Sequence, residues 1–282
     1  MTHLISVDEL RAELAAAAPV RLLDVRWRLD APDGREAHRA GHLPGAVYVS
    51  LDDDLADPTR EGLGRHPLPG RERLQASARR WGLEPDTPVV VYDDAKSTAA
   101  ARAWWVLRAF GISNVRILDG GLRAWTAAGL PLETGEPVVA PSSIELPAQT
   151  DTGLTADEAA AVPSRGVLID ARPADRYAGR NEVIDPRSGH IPGAVSLPTT
   201  GNVDAEGRFL NPEALRARFA EVGALGTEVG VYCGSGIAAT HTILALELAG
   251  GTGRLFPGSF SQWAADPSRP VATGDEPGGP AA

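Results

Sequence analysis

A single thiol, Cys233, stands in 282 residues. It lies in the stretch VYCGSGIAAT, residues 231–240, between a short apolar run and an Ala-rich run of helical character. Gly234 and Gly236 follow it closely. Glycines there let the backbone curl until several N–H groups face inward. The helix start that follows adds the positive end of its dipole. Such surroundings stabilise an anionic sulfur, either a nucleophilic thiolate or the persulfide it would carry. A lone cysteine is more often a small packing residue, but packing alone asks for neither the glycines nor the helix start.

Other nucleophile patterns do not fit. A cysteine phosphatase needs an arginine six positions after the thiol to clamp phosphate, and Ala239 stands there. Ser235 is not in a G-x-S-x-G elbow, because Cys233 occupies the first glycine position. A phosphate loop of the G-x4-G-K-[ST] type is absent from this stretch. One cysteine excludes an internal disulfide and a thiolate metal cluster. No metal or other cofactor is therefore expected. With 37 acidic against 27 basic residues the net charge is −10, which argues against a nucleic-acid partner. No run of about 18 apolar residues exists to span a membrane. The start MTHLISVDELRAEL does not read as a secretion signal, so a cytoplasmic protein is expected.

The elements that must position Cys233 occur twice. SVDELRAEL from Ser6 and TADEAAAV from Thr155 both read as capping boxes, Ser6 with Glu9 and Thr155 with Glu158. VRLLDVR (20–26) pairs with GVLIDAR (166–172), each a short apolar run ending in Asp-x-Arg. GHLPGAV (41–47) pairs with GHIPGAV (189–195), whose Pro-Gly suits a type II turn. PVVVYDD (88–94) pairs with VGVYCGS (229–235), the Ala-rich helical run AAARAWWVLRAFG (99–111) with AATHTILALELAG (238–250), and ILDGGLRAW (117–125) with LFPGSFSQW (255–263). Six features in one order predict two homologous α/β domains, each a parallel sheet flanked by helices. The expected boundaries are 1–135 for the first domain, 136–150 for a Pro/Ser/Thr-rich linker and 151–274 for the second. Residues 275–282 are expected to form a disordered tail. Trp104, Trp105, Trp125 and Trp263 are expected in the cores. Cys233 falls at the carboxyl end of its strand, where open parallel sheets bind ligands.

The duplicated GH[LI]PGA, the YCGSG loop and the GS-x-x-x-W segment resemble those of two-domain rhodanese-type sulfurtransferases, the thiosulfate and 3-mercaptopyruvate family. The resemblance covers nearly the whole chain. It implies two tandem rhodanese folds with only the second catalytic. Asp93 stands where Cys233 stands in the repeat, and a carboxylate cannot carry a sulfane sulfur. The implied chemistry is ping-pong, with a small donor loading a Cys233 persulfide and an acceptor unloading it. No second thiol can resolve that persulfide, so the acceptor is external: cyanide, a small thiol or a thioredoxin-like protein.

The resemblance also implies site residues. Family members using thiosulfate often carry cations directly after the cysteine, whereas C-G-S-G resembles those using 3-mercaptopyruvate. Gly234, Ser235, Gly236, Ile237 and Ala238 are expected to form the substrate-facing cradle. Arginines upstream of the second GHIPGA would read the donor's carboxylate and ketone. Arg176 and Arg187 match, with Arg180 as a substitute for Arg187. A relay from Asp33 through His42 to Ser235 is implied across the two halves. Where the family loop commonly reads C-G-S-G-V-T-A-C, this one has Ala238 and Thr240 in place of Thr and Cys. That departure leaves thiosulfate as the alternative donor. Two other classes compete: a thiol enzyme of another reaction type, such as an arsenate reductase, and a non-catalytic binding module that kept the fold.

Overall fold

Nine short strands, all paired in parallel, form two sheets in the computed structural model, which describes residues 2–279. In the first half these are β1 (Leu4–Ile5), β2 (Arg21–Asp24), β3 (Val47–Tyr48), β4 (Val89–Tyr92) and β5 (Val115–Leu118), in the order β1-β5-β4-β2-β3. In the second they are β6 (Gly166–Asp170), β7 (Val195–Ser196), β8 (Glu228–Tyr232) and β9 (Arg254–Leu255), in the order β7-β6-β8-β9. The central strands β4 and β8 read as near-continuous apolar runs, as strands covered on both faces do. Both predicted capping boxes form, Ser6 with Glu9 and Thr155 with Glu158. The four tryptophans named above are all buried.

The repeated Asp-x-Arg and GH-x-PGA motifs lock together in each half. Arg26 donates to the Asp24 carboxylate and to the Gly41 carbonyl, just ahead of His42. Arg172 does the same with Asp170 and the Gly189 carbonyl, ahead of His190. The hydroxyls of Tyr92 and Tyr232 accept from the Leu43 and Ile191 amides at distances of 3.1 Å. Burial alone would push Asp24 up, but His38 and Arg26 bond its carboxylate and hold it below the ordinary range. These motifs are therefore turn anchors at the strand ends.

The division of the chain differs from the one expected. One unit takes the residues up to Asp57, Leu68–Thr152 and Ala205–Arg208; the other takes Pro58–Pro67, Gly153–Asp204 and the residues from Phe209 onward. The stretch 136–150 is no free linker. Arg79 and Arg71 donate to the carbonyls of Ile144 and Leu146, and both of those side chains are buried in the first unit. The tail needs a similar correction. Asp275 pairs with Arg180, and the Pro277 carbonyl accepts from the Gly193 amide. Asp275 and Pro277 are thus held by specific bonds, while 280–282 lie outside the described residues.

Candidate active site

Strand β8 ends at Tyr232, and the next residue is Cys233, only 3% exposed. The turn Cys233–Ile237 leads into the helix Ala238–Leu248. Gly236 takes φ +78, a conformation that favours glycine, and its amide donates to Cys233 Sγ at 3.2 Å. The Thr240 hydroxyl donates back to the Ile237 carbonyl at the helix start. The other end of the loop rests on the segment after β9. Ser259 Oγ accepts from the Cys233 amide, and the amides of Phe260 and Ser261 donate to the carbonyls of Cys233 and Gly234.

The first repeat shows what this turn can hold. Asp93, in the position of Cys233, is 1% exposed, and its carboxylate accepts from the amides of Ala95, Ser97, Ala99 and Ala100 at 2.8–2.9 Å. Burial raises its pKa while those four amides pull it back. A strand-to-helix turn of this design is an anion receptor. In the first unit the protein's own carboxylate fills it; in the second the thiol stands there.

Around Cys233 the second unit builds a chain of ion pairs of alternating sign. Asp170 bonds Arg172, Arg172 meets Glu182, Glu182 bonds Arg176, Arg176 bonds Asp185, and Asp185 bonds Arg65. The chain contains three guanidinium groups and three carboxylates, so its formal charge is zero. Burial works to raise the Glu182 carboxyl, but the amides of Asp185 and Ile184 and the Arg176 guanidinium outweigh it and hold it below its ordinary value. Two guanidinium groups converge on Gly234: a Cβ built there would lie 3.1 Å from Arg65 Nη2 and 3.6 Å from Arg176 Nη1.

The sequence motifs of both halves match the model of the "Rhodanese-like domain", over residues 6–128 and 155–266. The chain belongs to the rhodanese-like family. Among curated relatives of this rhodanese-like chain, "Putative thiosulfate sulfurtransferase SseB" of Mycobacterium tuberculosis is 50% identical, over 96% of this chain and 97% of that protein. The 3-mercaptopyruvate sulfurtransferase of Homo sapiens is 35% identical, over 91% of this chain and 88% of that protein. Of solved structures, SseA of Escherichia coli, described with the 3-mercaptopyruvate sulfotransferases, superposes with a TM-score of 0.82. It shares 30% identity, with 92% of this chain and 99% of that one covered. The rhodanese-like chain is thus a sulfurtransferase enzyme, and no described helix is long and apolar enough to cross a membrane.

The candidate residues separate clearly. Cys233, Gly234, Ser235, Gly236 and Ile237 form one buried turn, and Ala238 is partly buried beside it. Arg176 stands next to this turn. Arg187 does not serve it: its guanidinium donates to the carbonyls of Trp263, Ala264, Asp266 and Arg269. Those carbonyls lie at the carboxyl end of the helix Ser259–Ala265, where orphan acceptors and the negative dipole end attract a cation. Arg180 is engaged elsewhere, with both its terminal nitrogens on Asp275.

Asp33 and His42 are not joined. His42 is buried and stacked on His38 at 4.0 Å, and its Nδ1 donates to the His38 carbonyl one helical turn back. That carbonyl takes the proton position a relay would have given to Asp33. Asp33 instead accepts from the Arg35 amide and the Tyr48 hydroxyl.

Arg65 escaped the sequence reading. It lies in Pro58–Pro67, far from Cys233 along the chain, yet that segment is pinned to the second unit. Its amide donates to Ser261 Oγ, and Gln262 Nε2 donates to the Gly62 carbonyl. Gly64 has φ +88, and a Cβ there would come within 2.5 Å of the Gly258 carbonyl oxygen. The one local signal is the glycine pair in REGLGRHP.

The convergence on Gly234 makes a prediction. Its φ is not in the left-handed region, so Gly234→Ala strains no backbone and tests only crowding against the two arginines. The KM for an anionic donor should rise roughly three- to tenfold, the loss expected from a displaced charge-assisted hydrogen bond. The melting temperature should stay nearly constant. Steady-state kinetics beside a thermal scan would check both.

Proposed function

We propose that this sulfurtransferase takes its sulfur from 3-mercaptopyruvate, carries it as a Cys233 persulfide, and delivers it to cyanide or to a thiol supplied from outside the chain. The observation that carries this reading is the meeting of two guanidinium groups beside the residue that follows the chain's one thiol. An arginine fork matches the plane of a carboxylate. No cation lies within Gly234–Ala238. The cations that flank the turn are matched one for one by carboxylates, which suits a monoanionic donor better than a dianion.

The chemistry balances without an oxidant. The Cys233 thiolate attacks the donor sulfur, forming an S–S bond as the donor's C–S bond breaks. The carbon keeps the electron pair as the enolate of pyruvate, and the proton that sat on the donor sulfur ends on that carbon. The persulfide anion left on Cys233 then gives its outer sulfur to the acceptor, such as cyanide to form thiocyanate, and the thiolate returns. The Gly236 N–H, already directed at Sγ, remains available to the anion at each stage. Arg176 holds the carboxylate; Glu182 and Asp185 hold Arg176. Ser235, 8% exposed, stands within the turn as a local hydroxyl that could pass the proton.

The second reading, thiosulfate as main donor, has one observation in its favour: the relative named for thiosulfate is the one 50% identical to this chain. Thiosulfate would load the same sulfur and release sulfite. A steady-state comparison of the two donors, with cyanide as acceptor, separates the readings. The expected result is a kcat/KM at least about tenfold higher for mercaptopyruvate, the worth of one matched charge-assisted bond. A preference for thiosulfate would overturn the donor assignment and leave sulfur transfer intact.

A further inference from the structure

We infer that Arg65 is a second carboxylate-reading residue of the Cys233 site, filling with Arg176 the place that sequence position alone would give to Arg187. The inference deepens the proposed donor assignment and rests on it for the identity of the carboxylate.

Three observations lead there. The first is the ion-pair chain from Asp170 outward, which alternates strictly in sign and ends on a cation. That terminal cation is Arg65. Every inner guanidinium of the chain meets two carboxylates, whereas among the described residues Arg65 meets Asp185 alone. The position beyond Arg65 is one where a further carboxylate would continue the pattern.

The second is the set of nitrogens left over. Asp185 bridges the two arginines, with Oδ1 on Arg65 Nη1 and Oδ2 on Arg176 Nη2. One carboxylate therefore already spans the pair, so their separation suits such a group. Arg65 Nη2 and Arg176 Nη1 donate to no acceptor among the described residues, and these are the atoms nearest to Gly234. Arg65 Nε is buried without a partner. A buried guanidinium N–H left unpaired is costly, and a bound anion would relieve that cost.

The third is how firmly Arg65 is held. Its own amide is bonded to Ser261 Oγ, and the Ser261 amide is bonded to the Gly234 carbonyl. Two hydrogen bonds thus connect the Arg65 backbone to the residue after the nucleophile. The side chain is 30% exposed, enough to admit a small solute.

The test compares two alkylating reagents on the full chain. Iodoacetate carries a carboxylate and iodoacetamide does not, and both attack the one thiol. Arg65→Gln should lower the Cys233 alkylation rate by iodoacetate roughly ten- to hundredfold, the range of a lost charge-assisted bond, and leave the iodoacetamide rate within about twofold. Arg65→Lys should recover part of the iodoacetate rate, because it restores charge without the fork. The KM for mercaptopyruvate should rise in Arg65→Gln with kcat changed much less. An equal fall with both reagents would mean that Arg65 only props the loop, and would overturn the inference, as would an unchanged ratio. Alkylation needs no turnover, so this outcome stands even if mercaptopyruvate proves not to be the donor.

Discussion

Replacing Cys233 by serine is expected to lower sulfur transfer by at least about a thousandfold, the scale seen when a covalent nucleophile is removed. The fold should be unaffected. Cys233 is 3% exposed and tightly enclosed, serine is close in shape, and its hydroxyl can still accept from the Gly236 amide. Circular dichroism and the melting temperature should match the wild type while thiocyanate formation with any donor falls to background. No second thiol exists to take over. A serine variant retaining turnover within a few fold of wild type would remove Cys233 from the reaction.

The second large effect concerns the inner end of the ion-pair chain. Arg172 is 2% exposed and Asp170 fully buried; the guanidinium bonds both carboxylate oxygens and the Gly189 carbonyl and stacks 3.9 Å from the centre of the Phe260 ring. Burial works to lower the Arg172 pKa, but the charges of Asp170 and its neighbours hold it above its ordinary value. Arg172→Met would leave a buried carboxylate without its cation, which costs roughly 3–5 kcal/mol. Denaturant unfolding followed by tryptophan fluorescence should show that loss. Activity should fall as well, because Arg172 also meets Glu182, the carboxylate that holds Arg176. A stability change under about 1 kcal/mol would show that the pair is screened in a way its burial does not suggest.

The features that the sequence discloses are those written in local order. The capping boxes, the paired strands and the Pro-Gly turns all depend on neighbours a few residues apart, and the repeat doubles each signal. The cysteine turn was legible for the same reason, as was its counterpart at Asp93. What stayed hidden depends on acceptors far along the chain. Arg187 looks like a substrate arginine by position, but four carbonyls around the end of the helix Ser259–Ala265 claim it. Arg180 is claimed by Asp275, from a tail whose Gly and Pro content reads as disorder. Arg65 was missed because its segment belongs to the second unit, held there by bonds to residues far along the chain, such as the Arg65 amide on Ser261 Oγ and Gln262 Nε2 on the Gly62 carbonyl. Asp33 and His42 failed as a pair for a local reason, since the helix Arg35–Ala40 offers His42 a carbonyl first.

Intact-mass spectrometry of the protein after brief exposure to mercaptopyruvate, with no acceptor present, shows whether Cys233 itself carries the sulfur. The wild type should gain the mass of one sulfur atom, localised to the peptide containing Cys233 and lost on adding cyanide. Cys233→Ser should gain nothing. Turnover without any such adduct, or an adduct that cyanide does not remove, would contradict the persulfide route.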